Sequence, residues 1–171
     1  MTTINPNNDR RDIKVYRTTE GTVFELMGAV IVIILWALTL WFYQTSPDKI
    51  PTHFDITGTP DAYGDKSSLI LLALTGTAIV TVTLCTAYFP RLFNTPVKIS
   101  NAVQYAIAIR MVRIISILCG VMFLMITVMS GCGNERMTGL CSKLLIAVLV
   151  LILLVTIYYT EKMRRAGKKH D

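Results

Sequence analysis

Val23 to Tyr43 reads VFELMGAVIVIILWALTLWFY, and its only charge is Glu25, close to its start. As a helix rising ~1.5 Å per residue, a run of about 20 apolar residues crosses the roughly 30 Å hydrocarbon of a bilayer. Three more blocks of this kind follow: Leu69 to Phe89, Ile109 to Ser130 and Cys141 to Tyr159. The second is rich in Thr and Ala yet uncharged, and a Thr hydroxyl is tolerated in lipid because it bonds back to its own helix. Buried helices of a soluble bundle would carry a polar stripe of period 3.6, and these blocks do not. The chain is 53% hydrophobic and only 16% charged over 171 residues, with the apolar residues gathered in these blocks, so a water-soluble domain is excluded in favour of four spans. No cleavable signal peptide is expected. The first block is too long for an h-region, and no small-residue cleavage site follows it.

Lys and Arg collect on the cytoplasmic side of short loops. Arg10, Arg11, Lys14 and Arg17 precede the first block, and Lys162, Arg164, Arg165, Lys168 and Lys169 follow the last. Arg91, Lys98, Arg110 and Arg113 lie in or just after the middle connection. Of the 17 basic residues, only Lys49, Lys66, Arg136 and Lys143 fall in the other two connections. Four spans with both termini cytoplasmic fit this split. The net charge of +6 is then a topology signal, and no nucleic-acid partner is expected. The lipid bilayer is the expected partner, and anionic lipid attracts each nearby basic residue by about 1 kcal/mol.

Local signals sit at these boundaries. Thr22-Val-Phe-Glu25 reads as a capping box opening the first helix, and Asn101-Ala-Val-Gln104 as a cap for the third. Trp36, Trp41, Phe42 and Tyr43 are placed toward the outer interface, Tyr158 and Tyr159 toward the inner one. A third helix starting near Ser100 would run for about 31 residues, roughly 46 Å, so its first turns project into the cytoplasm or the helix tilts. Arg110 and Arg113 lie one turn apart on its basic face. They snorkel to headgroups or, on the sharper reading, line a cytoplasmic vestibule or bind a lipid phosphate.

Cys85 and Cys119 lie inside spans as small apolar residues. Cys132 and Cys141 flank the second outer loop and are either a disulfide in an oxidising compartment or two free thiols.

The first outer loop is the specific part of the chain. It runs from Ser46 to Ser67 and holds Pro47, Pro51, Pro60, Gly58, Gly64 and His53. Pro47 and Pro51 push their preceding residues to extended geometry, so Ile50 to Ile56 reads as a short extended segment. Alternation puts His53 and Asp55 on one side and Thr52, Phe54 and Ile56 on the other. Gly58 and Thr59-Pro60-Asp61 read as tight turns, and Gly64 as a position of positive φ. Such a loop is rigid by composition and suits recognition.

Three chemistries are conceivable at this loop. Counting from Asp55, an EF-hand pattern fails: Pro60 stands where glycine is needed and Lys66 where glutamate is needed. Asp55-Ile-Thr-Gly superficially resembles an aspartic-protease loop but has an inserted residue and no second copy. His53 with Asp55, Asp61 or Asp65 has the right ligand types for a transition metal, though one His is thin. Against this stands a network in which Asp and Lys pair across turns and His53 bonds a backbone carbonyl. No phosphate-cradling glycine motif, nucleophile elbow or Cys-x-x-Cys occurs, and no cofactor is implied. No Asp or Glu lies in the middle of a span, which counts against ion-coupled transport.

Ile50-Pro-Thr-His-Phe-Asp, then Gly58-Thr-Pro-Asp-Ala-Tyr-Gly-Asp-Lys66, resembles the signature of the bacterial DUF1648 family at Pro51, His53, Phe54, Gly58, Pro60, Asp61, Gly64 and Lys66. Tyr63 falls at the pattern's aromatic position. Asn94-Thr-Pro-Val-Lys-Ile-Ser and the basic helix start at Arg110 and Arg113 are similar too. The resemblance implies a multi-pass protein of a bacterial plasma membrane. SdpI-like relatives protect cells from a secreted peptide toxin and sequester a regulator at the membrane. They carry extra spans, and this chain is more similar to the short, stand-alone members.

The expectation is therefore an all-α membrane protein: basic tail 1–22, four-helix domain 23–159 with outer loops 44–68 and 131–140, and basic tail 160–171. Its expected function is recognition, immunity or signalling through the first loop, with an extracytoplasmic peptide or membrane-protein partner and a cytoplasmic regulator. The candidate binding residues are those of the signature with Asp55 and Tyr63. The alternatives are a membrane enzyme or transporter for a lipid or small solute, or a structural membrane subunit.

Overall fold

The computed structural model describes residues 17–89, 97 and 99–168. Arg10, Arg11, Lys14, Arg91, Lys98 and Lys169, and most of the Asn94–Ser100 segment, lie outside the described residues. The elements are α1 (Thr19–Thr45), β1 (Lys49–Phe54), β2 (Pro60–Asp65), α2 (Ser68–Thr86), α3 (Ala102–Cys132) and α4 (Glu135–Lys168). All four helices are long and apolar enough to cross a membrane. The chain is a multi-pass membrane protein on that ground, and the apolar side chains it exposes along α1, α2 and α4 face lipid.

The helix ends show where sequence reading slipped. Helix α1 opens at Thr18, whose Oγ1 accepts from the Gly21 amide at 3.0 Å, and not at Thr22. Thr22 lies inside the first turns, and Glu25 faces Tyr88 and Arg17 instead of capping. The cap expected at Asn101 is present: its side chain accepts from the Gln104 amide at 2.9 Å. Gln104 Oε1 reaches back to the Ser100 amide at 2.7 Å, so the two residues satisfy orphan donors reciprocally. The second connection is shorter than the 131–140 expected. Helix α3 runs through Cys132, Gly133 takes the left-handed conformation (φ 60°), and Asn134 caps α4. Cys132 and Cys141 are free thiols, one exposed and one buried.

Helices α1, α2 and α3 close on one another through glycine. A Cβ on Gly120 would lie 2.7 Å from Ile31 Cγ2 and 3.1 Å from Val80 Cγ2, so all three backbones converge there. One helical turn earlier, Ser116 donates to the Val80 carbonyl at 3.0 Å. Trp36 was expected at the interface; its indole N–H instead donates to Thr77 Oγ1 at 3.0 Å and ties α1 to α2. Helix α4 packs on α3 around Tyr105, Ala108, Met111 and Met163, and Gln104 Nε2 donates to the Met163 carbonyl at 2.9 Å.

Gly120→Val should overpack the three-helix crossing and cost about 1–3 kcal/mol of stability. Gly139→Ala, where the nearest atom to a new Cβ is the Thr57 carbonyl at 3.8 Å, should stay within about 1 kcal/mol of wild type. Unfolding in mixed micelles with increasing dodecyl sulfate checks both.

Candidate functional site

The first connection is a β-hairpin, so the protein is not purely α-helical. β1 and β2 pair antiparallel from Lys49 opposite Asp65 to Phe54 opposite Pro60, with register irregularities between Pro51 and Phe54. These break the simple alternation expected for Ile50 to Ile56. The second strand is not legible in the sequence, because Pro60, Gly64 and two aspartates argue against one. A strand-opening Pro is tolerated where the ladder needs no donor.

Asp55 organises the tip. Its Oδ1 accepts from the Thr57 hydroxyl (2.6 Å), the Thr59 amide (2.8 Å) and the Thr57 amide (2.9 Å). The backbone closes between Asp55 N and the Thr59 carbonyl at 2.9 Å. Gly58 has φ 88°, as expected for a turn glycine. Pro60 begins β2 and is not a turn residue. Gly64 has no positive φ; it is small because Thr52 Cγ2 would lie 2.7 Å from a Cβ there.

The hairpin is clamped to the bundle at three places. Ile50, 1% exposed, is buried on the β1 side facing α3. At the base, Lys66 Nζ bonds Asp48 at 2.9 Å and lies 5.5 Å above the Tyr43 ring. At the tip, Ser142 of α4 donates to the Ile56 carbonyl at 3.1 Å. A Cβ on Gly58 would come within 2.9 Å of the Thr138 carbonyl. Asp48, Thr138 and Ser142 were not among the expected site residues. The signal for the last pair is their spacing of one helical turn at the start of the fourth block.

The signature residues therefore separate by role. Gly58 is buried and Pro51, Phe54, Pro60, Gly64 and Lys66 are half-buried, so they build and seat the hairpin. His53, Asp55, Asp61 and Tyr63 are exposed. His53 Nδ1 meets Asp61 Oδ1 at 2.5 Å, a side-chain partner in place of the backbone carbonyl expected. Ile56, at the tip, is 80% exposed. No group of three or more His, Cys, Asp or Glu among the described residues is placed to hold a metal. Asp55 is committed to Thr57 and Thr59, so it does not join His53 and Asp61.

Residues 30–77 match the DUF1648 family model. The description of that family is a domain of unknown function. The match covers the C-terminal part of α1, the whole hairpin and the first half of α2, so it holds Tyr43, Asp48 and Lys66 at the hairpin base but neither α3, which faces β1, nor the α4 residues that receive the tip. The chain is also similar to an uncharacterized protein of Archaeoglobus fulgidus, 31% identical over 55 residues, which is 32% of this chain and 30% of that protein. The chain thus spans under a third of that relative's length. No solved structure matches.

Arg110 and Arg113 do not act as a pair. Arg110 makes two bonds of 2.6 Å to the Glu20 carboxylate. Arg113 is buried, which excludes snorkelling for it.

The Thr57 hydroxyl, then the Thr59 amide, holds the Asp55 carboxyl below its ordinary value. The Ser67 amide does the same for Asp65, and Asp48 raises the Lys66 ammonium. A lowered carboxyl contributes order that is complete above its unfolded pKa and is lost as pH falls through the lowered value. The amide shifts of Thr57 and Thr59 in micelles should stay constant above about pH 5 and collapse only in stronger acid. Asp55→Ala should show the collapsed shifts throughout. A midpoint above about pH 5 would refute this account of the tip.

Proposed function

We propose that the DUF1648 hairpin is a recognition element held on the outer face of a plasma membrane, with both termini in the cytoplasm. The reading rests on one observation: a polar hairpin braced by three helices leaves His53 with Asp61, Tyr63 and Ile56 exposed. A loop this firmly seated loses little conformational entropy on binding. An exposed histidine–carboxylate pair beside an aromatic ring and an aliphatic tip suits a peptide with a polar group next to an apolar side chain. The free edge of β2 offers main-chain groups to an extended peptide. Immunity to a peptide, or signalling through one, is the function class that fits, with the basic cytoplasmic segments available to a regulator. The distribution of Lys and Arg supports the orientation.

Two measurements test this reading. With native cysteines removed, an impermeant maleimide on intact cells should label Thr57→Cys and spare Lys168→Cys; the reverse pattern refutes the orientation. A photo-crosslinker at Ile56, in native cells, should yield a discrete peptide or protein adduct that His53→Ala or Asp61→Ala reduces at least tenfold without lowering protein level. Adducts to lipid alone would refute recognition.

A further inference from the structure

The end of the bundle away from the hairpin carries a second polar cluster. Glu20 and Glu25 lie in α1, Tyr88 just beyond α2, and Arg110 and Arg113 in α3. Each carboxylate already has a cation. Arg110 holds Glu20 through both of its oxygens, and Glu25 takes Arg17 at 2.7 Å together with the Tyr88 hydroxyl. Arg113 has none: it forms no ion pair among the described residues.

Arg113 is 5% exposed, and its Nη2 is buried without a hydrogen-bond partner. The guanidinium lies over the Tyr88 ring, 5.7 Å from its centroid. It presses on the first turn of α1, where a Cβ on Gly21 would sit 2.5 Å from Nη2. That turn is the positive end of a 27-residue helix, so the dipole of α1 opposes the charge of Arg113. Of its leading amides, Thr18 takes up that of Gly21 with its hydroxyl and that of Thr22 with its carbonyl, which leaves those of Thr19 and Glu20 without an acceptor in the helix. A buried guanidinium with an unused donor therefore lies against a helix end of the same sign, and among the described residues no carboxylate bonds to it directly. Glu20 and Glu25 lower the local potential, but each is committed elsewhere, and the five charged groups Arg17, Glu20, Glu25, Arg110 and Arg113 sum to one excess positive charge.

We propose that Arg113 and the first turn of α1 form a binding site for a phosphate-type anion, either the headgroup phosphate of an anionic lipid or free phosphate. Guanidinium donors and helix N-terminal amides together match phosphate oxygens in both charge and direction. Glycine at position 21 is what lets the guanidinium approach that turn. This site is independent of the hairpin and of what the hairpin binds.

The test is native mass spectrometry of the full-length protein, delipidated in detergent. Phosphatidylglycerol, phosphatidylcholine or inorganic phosphate is then added back. Wild type should retain one phosphatidylglycerol or one phosphate in preference to phosphatidylcholine. Arg113→Gln should weaken that retention at least tenfold, and Gly21→Ala, which displaces the guanidinium without removing it, should weaken it less. Retention of phosphatidylglycerol but not phosphate assigns the site to a lipid headgroup; retention of phosphate, with phosphatidylglycerol no better than phosphatidylcholine, assigns it to a soluble anion. If wild type retains neither, or if folded Arg113→Gln retains them as well as wild type does, the proposal is overturned. Should Arg113→Gln not fold, the wild-type preference and the Gly21→Ala loss decide it alone: an unaltered affinity in Gly21→Ala overturns the site.

Discussion

Within hydrocarbon a backbone amide has no water to bond, so each span must satisfy its own ladder and every irregular connection is driven to the ends of the bundle. The rest of this protein follows from that constraint. Four helices carry the chain across, and the charged groups among the described residues gather toward the two ends of the bundle. At one end the connection between α1 and α2 satisfies itself as a hairpin closed by Asp55. Between α3 and α4 it shrinks to a left-handed Gly133 and the capping Asn134. At the basic end, Gln104, Asn101 and Thr18 take up the orphan groups of the helix termini.

The hairpin and the bundle depend on each other. A two-stranded ribbon alone is marginal in water. This one is held because Ile50 buries on the bundle side, Lys66 locks the base to Asp48, and Ser142 catches the tip. Helix α4 needs its extra turns before Cys141 to reach that tip. Its early residues, expected as a loop, are helical because Asn134 caps them and Thr138 bonds back to Asn134 at 3.0 Å. The signature shared with DUF1648 proteins is mostly the means of seating the ribbon, and only His53, Asp61 and Tyr63 within it are displayed outward.

The two ends treat charge differently. At the hairpin, the carboxylate of the Lys66–Asp48 pair is open to water, which screens the pair and leaves it worth little. At the other end Arg113 is removed from water, and burial there makes an unmatched charge far more consequential. Spacing put Arg110 and Arg113 on one face of a helix, and so they are. Three residues apart, one reaches Glu20 at the surface while the other turns in beneath Tyr88.

The amino-acid sequence by itself determined the number and approximate place of the spans, because about 20 uncharged apolar residues have no other stable home. It also marked the family segment, the Asn101 cap and the turn at Gly58, all of which are short-range effects set by neighbouring residues. Only the tertiary structure decided that β2 is a strand, that Trp36 bonds Thr77, that Ser142 receives the hairpin, and that Arg113 is buried while Arg110 is not. The first depends on a strand across the hairpin, and the others on partners tens of residues away along the chain. Local propensity carries no record of such partners: Pro60 and Gly64 argue against a strand, and only pairing with β1 makes them one.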